Sequence, residues 1–429
     1  MPSPATLPTT FTEEKTITMS KSSHTDTDTL VTAANTAAPT SQSKSEADGS
    51  GDLYQVDEVK VVSWKVGDST EATKPSAREG HCCCAVGDDI YIFGGVSISE
   101  TNGVDEKSDL WKFSLKEQKW TLVMPSKGSE KPLSRSAATM SAVGSKLYLF
   151  GGLNQSVGWL DDMLVFDTET NCWREEDEST GNMPSARDKL SSAVIGQCIW
   201  FFGGFGPKVA TRGPLDLEDD EDISSDDEIH QLERQQEAAQ FGWFDDLHVY
   251  DTQTKVWAQP VQLSMGRPSP RCAASMISYR HLLVIFGGRD ADGRLNDLHL
   301  FDTEKRKWLK DRQVTGSPPD CRSFHAATLA ADSTMLVVGG RGTENQHYND
   351  VYSLSLERNS WTKLETDGLS ARACHTLVSL NNQLVVFGGS SAFNQTLQHC
   401  DTFYSDLLVA SYSSQEDYGC SPPKLKKVR

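Results

Sequence analysis

The chain has 429 residues, of which 37% are hydrophobic and 8% aromatic, and its formal net charge is −19. That apolar content supports a sizeable core, while the acidity excludes a general nucleic-acid binder, which needs basic surface to replace phosphate counterions. No apolar run reaches the length of a membrane span, and Met1-Pro2-Ser3-Pro4-Ala5-Thr6-Leu7 lacks the basic-then-apolar pattern of a secretory leader.

Residues 1–50 are rich in Ser, Thr and Ala, nearly without aromatics and without apolar periodicity. They cannot bury enough surface to offset the entropy of ordering, so residues 1–55 are expected to form a disordered tail.

From about Asp57 the chain repeats. Glycine pairs stand at Gly94-Gly95, Gly151-Gly152, Gly203-Gly204, Gly287-Gly288, Gly339-Gly340 and Gly388-Gly389, spaced by 57, 52, 84, 52 and 49 residues. A β-type run precedes each pair (Ile90-Tyr91-Ile92-Phe93 in the first, Leu283-Val284-Ile285-Phe286 in the fourth), and an aspartate opens a second apolar run after it. These aspartates are Asp109, Asp162, Asp246, Asp297, Asp350 and Asp406; upstream of the pairs stand Arg78, Arg135, Arg187, Arg271, Arg322 and Arg372, each followed by small residues. Trp120, Trp173, Trp257, Trp308 and Trp361 close five units, and the sixth has none. Four strands per unit follow: small-residue a, bulky b ending in Gly-Gly, c opening at Asp, and d carrying Trp.

This pattern resembles the kelch repeat, one propeller blade per repeat of roughly 50 residues. The expected fold is all-β: a six-bladed kelch propeller over residues 56–412, with four antiparallel strands per blade. The N-terminal strand Val59-Lys60-Val61-Val62-Ser63-Trp64 is expected to complete blade six and close the ring, so that no edge stays open.

The 84-residue spacing marks an insertion in blade three, and residues 213–240 hold 11 acids and one base. Charge repulsion predicts disorder there. Ser224 and Ser225 each have an acid three residues on, the context acidophilic kinases favour; a plain solvated loop is the alternative. Residues 413–429 read as a second disordered tail, whose Lys424-Leu425-Lys426-Lys427-Val428-Arg429 resembles a short basic nuclear signal. The ten cysteines show no paired Cys-x-x-Cys spacing, and Cys82-Cys83-Cys84 lies in a strand where successive side chains alternate faces. Buried free thiols, and hence cytoplasm or nucleus, are expected.

Strands alternate direction within a blade, so the b–c and d–a loops share one face. That face should carry Phe205, the acidic insertion, Trp243, Arg289, Arg294, Arg341, Arg187, Lys189, Arg322, Ser323 and Phe324. The six repeated arginines, filled in every unit, are expected to form hydrogen bonds between blades. Arg289 and Arg294 stand outside that series and can converge with Ser323 of the next blade. Two guanidiniums and a hydroxyl suit a carboxylate; salt bridges to Asp290 or Asp292 are the alternative.

Blades three to five resemble the kelch-domain-containing substrate receptors of cullin-RING ubiquitin ligases that read C-terminal, diglycine-type degrons. The matching stretches are Arg187-Asp188-Lys189-Leu190, Phe202-Gly203-Gly204-Phe205-Gly206, Gly242-Trp243, Pro268-Ser269-Pro270-Arg271, Gly287-Gly288-Arg289, Arg294-Leu295-Asn296-Asp297-Leu298-His299 and Arg322-Ser323-Phe324-His325. The resemblance implies that Arg289, Arg294 and Ser323 hold a substrate's terminal carboxylate, lined by Lys189, Phe205, Trp243 and Phe324. Phe205 stands where the family reader has Tyr, and Phe324 where it has Trp, which alters the contacts to the preceding residues. Residues 411–429 show no amphipathic helix of the elongin-binding kind, and residues 1–56 resemble neither an F-box nor a BTB domain. The resemblance thus implies capture of protein C-termini more than recruitment of cullin-RING components.

A kelch scaffold binding a folded partner, without terminus preference or ligase link, is the alternative reading. Kelch propellers also carry metal-dependent oxidases and iron-dependent specifier proteins, but His81, His325 and His375 recur in only three units and the iron family's Glu-x-x-x-Asp-x-x-x-His pattern is absent. No catalysis and no cofactor are expected.

Overall fold

The computed structural model describes residues 60–61, 65–66, 74–99, 103–208, 240–262, 266–309, 313–397 and 399–413, all within the unit Glu58–Arg429. The predicted N-terminal tail, the acidic insertion up to Gln240 with Ser224 and Ser225, Trp64, and all but the first residue of the predicted C-terminal tail lie outside the described residues.

The six repeats form the six blades of a β-propeller. Strands a to d of blade one are Cys82–Val86, Asp89–Phe93, Leu110–Ser114 and Lys119–Leu122; those of blade two are Thr139–Val143, Lys146–Phe150, Met163–Asp167 and Cys172–Glu175. Blade three comprises Ser191–Ile195, Cys198–Phe202, Leu247–Asp251 and Val256–Ala258, with Thr180–Gly181 added in parallel at its outer edge. Blade four is Ser275–Tyr279, Leu282–Arg289, Arg294–Asp302 and Lys307–Trp308; blade five is Ala326–Ala330, Thr334–Val338, Val351–Ser355 and Ser360–Leu364. In blade six, Thr376–Leu380, Gln383–Phe387 and Leu407–Ser413 are completed by Lys60–Val61 and Lys65–Val66, with Lys60 opposite Ser413 and Lys65 opposite Val409. The N-terminal strand closes the ring, as its position in the repeat predicts.

The core is six apolar wedges, each shared by adjacent blades. Each d-strand tryptophan packs on the phenylalanine just before the glycine pair of the preceding blade: Trp120 on Phe387, Trp173 on Phe93, Trp257 on Phe150, Trp308 on Phe202 and Trp361 on Phe286, with ring centroids 5.0–6.1 Å apart. Such large buried aromatics dominate the energetics of an interface. Blade five ends strand b in Val338 instead, and its wedge with blade six is aliphatic, built on Val338, Val351, Leu336 and Leu408.

The repeated arginines act differently from expectation. Each guanidinium stays within its own blade, forking onto the aspartate that opens strand c and capping the carbonyl of the first glycine of its pair. Arg322, for example, donates through Nη1 to Asp350 Oδ1 (2.6 Å) and Gly339 O (2.8 Å), and through Nη2 to Asp350 Oδ2 (3.1 Å). Arg78–Asp109, Arg135–Asp162, Arg187–Asp246, Arg271–Asp297 and Arg372–Asp406 repeat this clamp. The links between blades run through the main chain: the arginine carbonyl accepts from the second glycine N–H of the preceding blade, up to Gly389 N–Arg78 O at 2.8 Å, where blade six meets blade one. This close approach requires glycine: at Gly287, with φ +61°, a Cβ would lie 2.9 Å from Arg322 O, and at Gly288, with φ +98°, 2.8 Å from Cys272 O.

Two residues beyond each arginine, six main-chain hydrogen bonds encircle the axis. Gly80, Ala137, Lys189, Ala273, Phe324 and Cys374 each donate to the carbonyl of the same position one blade back, and Gly80 donates to Cys374 O. All six adopt φ between 51° and 63°. A left-handed conformation is costly for Lys or Phe, and closure of this ring supplies the compensation.

Candidate functional site

The site is built on one repeated local device. After each Gly-Gly the chain leaves the blade as a hairpin and returns three residues before the strand-c aspartate. One cross-strand pair per blade therefore stands on the same face: Val96–Glu106, Leu153–Trp159, Phe205–Trp243, Arg289–Arg294, Arg341–His347 and Ser390–Phe403. Chemistry is segregated around the ring. Blade three presents an aromatic pair flanked by Trp159 of blade two, and blade four presents a cationic pair flanked by Arg341 of blade five.

In blade four a bulge at the glycine pair lets strands b and c run on into the hairpin, which sets Arg289 directly opposite Arg294. Like charges in that position oppose each other. Asp290 closes the turn, its Oδ1 accepting from Asp292 N (3.0 Å) and Gly293 N (3.1 Å), and its Oδ2 accepts the Ser269 hydroxyl (2.7 Å). Neither Asp290 nor Asp292 forms an ion pair with these arginines among the described residues, contrary to the alternative expected from their spacing. Arg294 is buried and aimed: its Nε donates to Ser323 Oγ (3.0 Å) and its Nη2 to Asn345 Oδ1 (2.9 Å). Ser323 is fully buried, one blade on. The half-exposed Arg289 side chain makes no hydrogen bond or ion pair among the described residues; its main chain bridges Cys272.

The other residues named from the sequence fall around this group. Phe205 and Trp243 are paired and meet edge to face at 5.3 Å; Trp159 adds a third ring at 6.1 Å from Phe205, and Phe241, 53% exposed, stacks on Trp159 at 4.9 Å. Lys189 and Phe324 belong to the axial ring and line a cavity of about 140 Å³ there, with Cys374 and His375. The Lys189 ammonium pairs with Asp188; burial pushes its pKa down, but the Asp188 charge more than offsets this and leaves it raised. Cys272, which bridges Arg289, is pushed up to about 11 by burial and stays a thiol. A larger groove of about 680 Å³, between the hairpins of blades six and one, is lined by Ser76, Ser97, Asp105 and Lys107, away from the arginine pair.

Sequence reasoning missed Trp159, Phe241 and Asn345, and placed Arg341 on this face without assigning it to the site. The signal that finds Trp159 is its place three residues before Asp162, which matches Trp243 before Asp246 and Arg294 before Asp297.

Two of the three axial histidines tie adjacent blades together. His81 Nε2 meets Thr376 Oγ1 at 2.9 Å and His325 Nε2 meets Ser275 Oγ at 2.8 Å, each reaching the preceding blade's first strand. Burial and the neighbouring arginine hold both near a pKa of about 3, hence neutral. Among the described residues no group of three or more His, Cys, Asp or Glu side chains could hold a metal ion.

Six blades with these clamps, glycine pairs and tryptophans define a kelch-repeat propeller. The chain belongs to the KLHDC2/KLHL20/DRC7 Kelch-repeats domain family, which matches residues 42–204 and 235–420 and so spans the whole ring on either side of the acidic insertion. It is 29% identical over 341 residues to Kelch domain-containing protein 1 of Homo sapiens, covering 77% of this chain and 80% of that protein. Against Kelch domain-containing protein 2 of Bos taurus the identity is 28% over 378 residues, covering 85% and 88%. Kelch domain-containing protein 3 of Rattus norvegicus is 26% identical over 335 residues, covering 73% and 78%. These homologues suggest protein binding.

Proposed function

We propose that the hairpin face captures the extended C-terminal end of partner proteins, with the terminal carboxylate seated between Arg289, Arg294 and Ser323. The observation that carries this reading is the directly opposed arginine pair, one member of which is buried and oriented by the Ser323 hydroxyl. Two like charges held opposite each other are relieved by one bound anion, and a carboxylate accepts from both guanidiniums at once. Phe205, Trp243, Lys189 and Phe324 line the path of the preceding residues. Binding, rather than catalysis, is the role this arrangement supports.

By the resemblance of blades three to five, the captured end is Gly-terminated and capture serves ubiquitin ligation in cytoplasm or nucleus. The unpaired state of the nine described cysteines is in keeping with a reducing compartment.

Peptides ending in Gly-Gly are expected to bind about 2–5 kcal/mol more tightly than their C-terminal amides, and Arg294→Ala should remove most of that difference. Isothermal titration measures both; equal affinity for acid and amide sinks the carboxylate seat. Retention of native partners by Arg294→Ala in a pull-down favours instead a broad surface for a folded partner. The same pull-down from wild-type protein, read for elongin and cullin components, tests the ligase link.

A further inference from the structure

Arg341 occupies in blade five the position that Arg289 occupies in blade four. Its main chain is bridged to Ser323, with Arg341 N to Ser323 O at 2.8 Å and Ser323 N to Arg341 O at 3.0 Å. Ser323 therefore links the two blades: its hydroxyl accepts from Arg294 and its backbone pairs with that of Arg341. The Arg341 guanidinium carbon lies 4.3 Å from the Phe393 ring centroid and 5.6 Å from that of Phe324. Stacking of this kind occupies the face of a guanidinium and leaves its rim N–H groups for acceptors in the plane. The rim is under-used: Nε is buried with no hydrogen-bond partner, and Arg341 has no ion pair among the described residues.

His347, opposite Arg341 in the hairpin, is held down to about 4 by burial and by the charges of Arg341 and Arg294. One acid, Glu79 of blade one, lies in the field of Arg341 without forming an ion pair with it among the described residues; burial raises its pKa, and its carboxyl accepts the Ser390 hydroxyl. One terminal carboxylate answers the Arg289–Arg294 pair and leaves the third guanidinium unanswered.

We propose that Arg341 binds a second carboxylate of the same ligand, the side chain of an Asp or Glu within the last few residues of the captured C-terminus. The inference rests on the terminal-carboxylate reading and adds a specificity to it: ends carrying an acid beside the terminus are preferred over neutral ends. Such an end presents two anions close together, as the neighbouring hairpins of blades four and five each present arginine.

The test uses the full-length protein and fluorescent decapeptides ending in Gly, with Glu placed in turn at each of the three preceding positions. Each is paired with its Gln isostere, and every peptide is made as free acid and as amide. The expected result is a preference of about tenfold for Glu over Gln at one position. That ratio should fall toward one in Arg341→Ala and in Arg341→Gln, both checked for an unchanged melting transition. An acid-over-amide preference without any Glu-over-Gln preference overturns this inference alone. A Glu preference that survives both variants also overturns it, as does an equal loss of Glu and Gln peptides, which would place Arg341 on the terminal carboxylate. Equal binding of acids and amides removes the seat itself and this inference with it.

Discussion

Two sets of arginines stand around the same propeller, under opposite rules. Arg322 and its five counterparts are buried, forked onto an aspartate and capped on a glycine carbonyl, so each positive charge is answered within its own blade. Arg289 and Arg341 occupy equivalent hairpin positions on this face, yet neither meets a carboxylate among the described residues. The difference teaches what repetition means here. A residue that the fold needs recurs in six units with the same partner, whereas the arginines proposed for a ligand appear where the repeat is broken. In blades one, two, three and six the same hairpin position holds Val96, Leu153, Phe205 and Ser390.

The largest expected effect comes from acid, which acts on the answered set and on the axial histidines rather than on the open arginines. His81 and His325 have folded pKa values near about 3, below the ordinary 6.5 of the unfolded chain. Below about pH 6.5 the unfolded chain therefore takes up protons that the folded one refuses, and stability falls by as much as about 1.4 kcal/mol per pH unit for each histidine. A second limb follows. Burial alone would raise Asp246 and Asp297, but hydrogen bonds from their arginine and histidine partners more than offset it and leave both below the carboxylate range. Their contribution is complete above about pH 4 and is lost as pH falls below it. Urea midpoints from pH 8 to 3 should be level above about 7, decline from 6.5 and steepen below 4; a level profile down to pH 5 would break the assignment of the histidines as buried and neutral.

Removing one aspartate comes next. Asp350→Ala leaves the guanidinium of the fully buried Arg322 without its counter-charge, at a cost of about 3–5 kcal/mol. Chemical denaturation reads it directly. A loss under about 1 kcal/mol would mean that the clamp is no more than a surface ion pair, and the contrast between the two sets would lose its basis.

Most of the scaffold was legible because each of its signals recurs with a geometric duty. Gly288 is needed for a close main-chain approach, Trp361 for the wedge beside Phe286, and Asp350 for the clamp. Even so, the clamp runs within a blade and not between blades as the sequence predicts. Every repeated arginine lies 16 or 17 residues before the glycine it caps, within one unit, and only the backbone of that arginine reaches the neighbouring blade. The site was legible in part. Phe205–Trp243 and Arg289–Arg294 followed from the residues after Gly-Gly and before Asp, but Trp159 and the Arg341–His347 pair did not. Their equivalence depends on hairpin register, and the loop inside the pair runs from four residues in blade four to 37 in blade three. A spacing that variable hides a periodicity which the sheet makes plain.

A smaller, stabilising change tests the scaffold from the other side. His81 and His325 each bond a hydroxyl on the preceding blade, Thr376 and Ser275, whereas His375 faces a blade whose first strand opens at Ala326. Nε2 of His375 is buried and meets no hydroxyl among the described residues. Ala326→Ser restores the missing hydroxyl and should add about 1 kcal/mol, seen as a rise in the thermal midpoint; no rise would show that His375 does not follow the geometry of the other two.

The smallest effect on stability is expected where the effect on binding is large. Arg289 is half-exposed, its side chain makes no hydrogen bond or ion pair among the described residues, and it sits opposite another guanidinium. Arg289→Ala therefore removes cross-strand repulsion and little else, so the unfolding free energy should change by no more than about 0.5 kcal/mol, toward greater stability. The same variant removes one of the two forks proposed for the terminal carboxylate, and the advantage of peptide acid over amide should shrink. A residue that lowers stability by its presence and raises affinity by its charge belongs to the ligand's side of the comparison. Denaturation and peptide titration of this one variant decide it: a destabilisation as large as that of Asp350→Ala would move Arg289 into the scaffold.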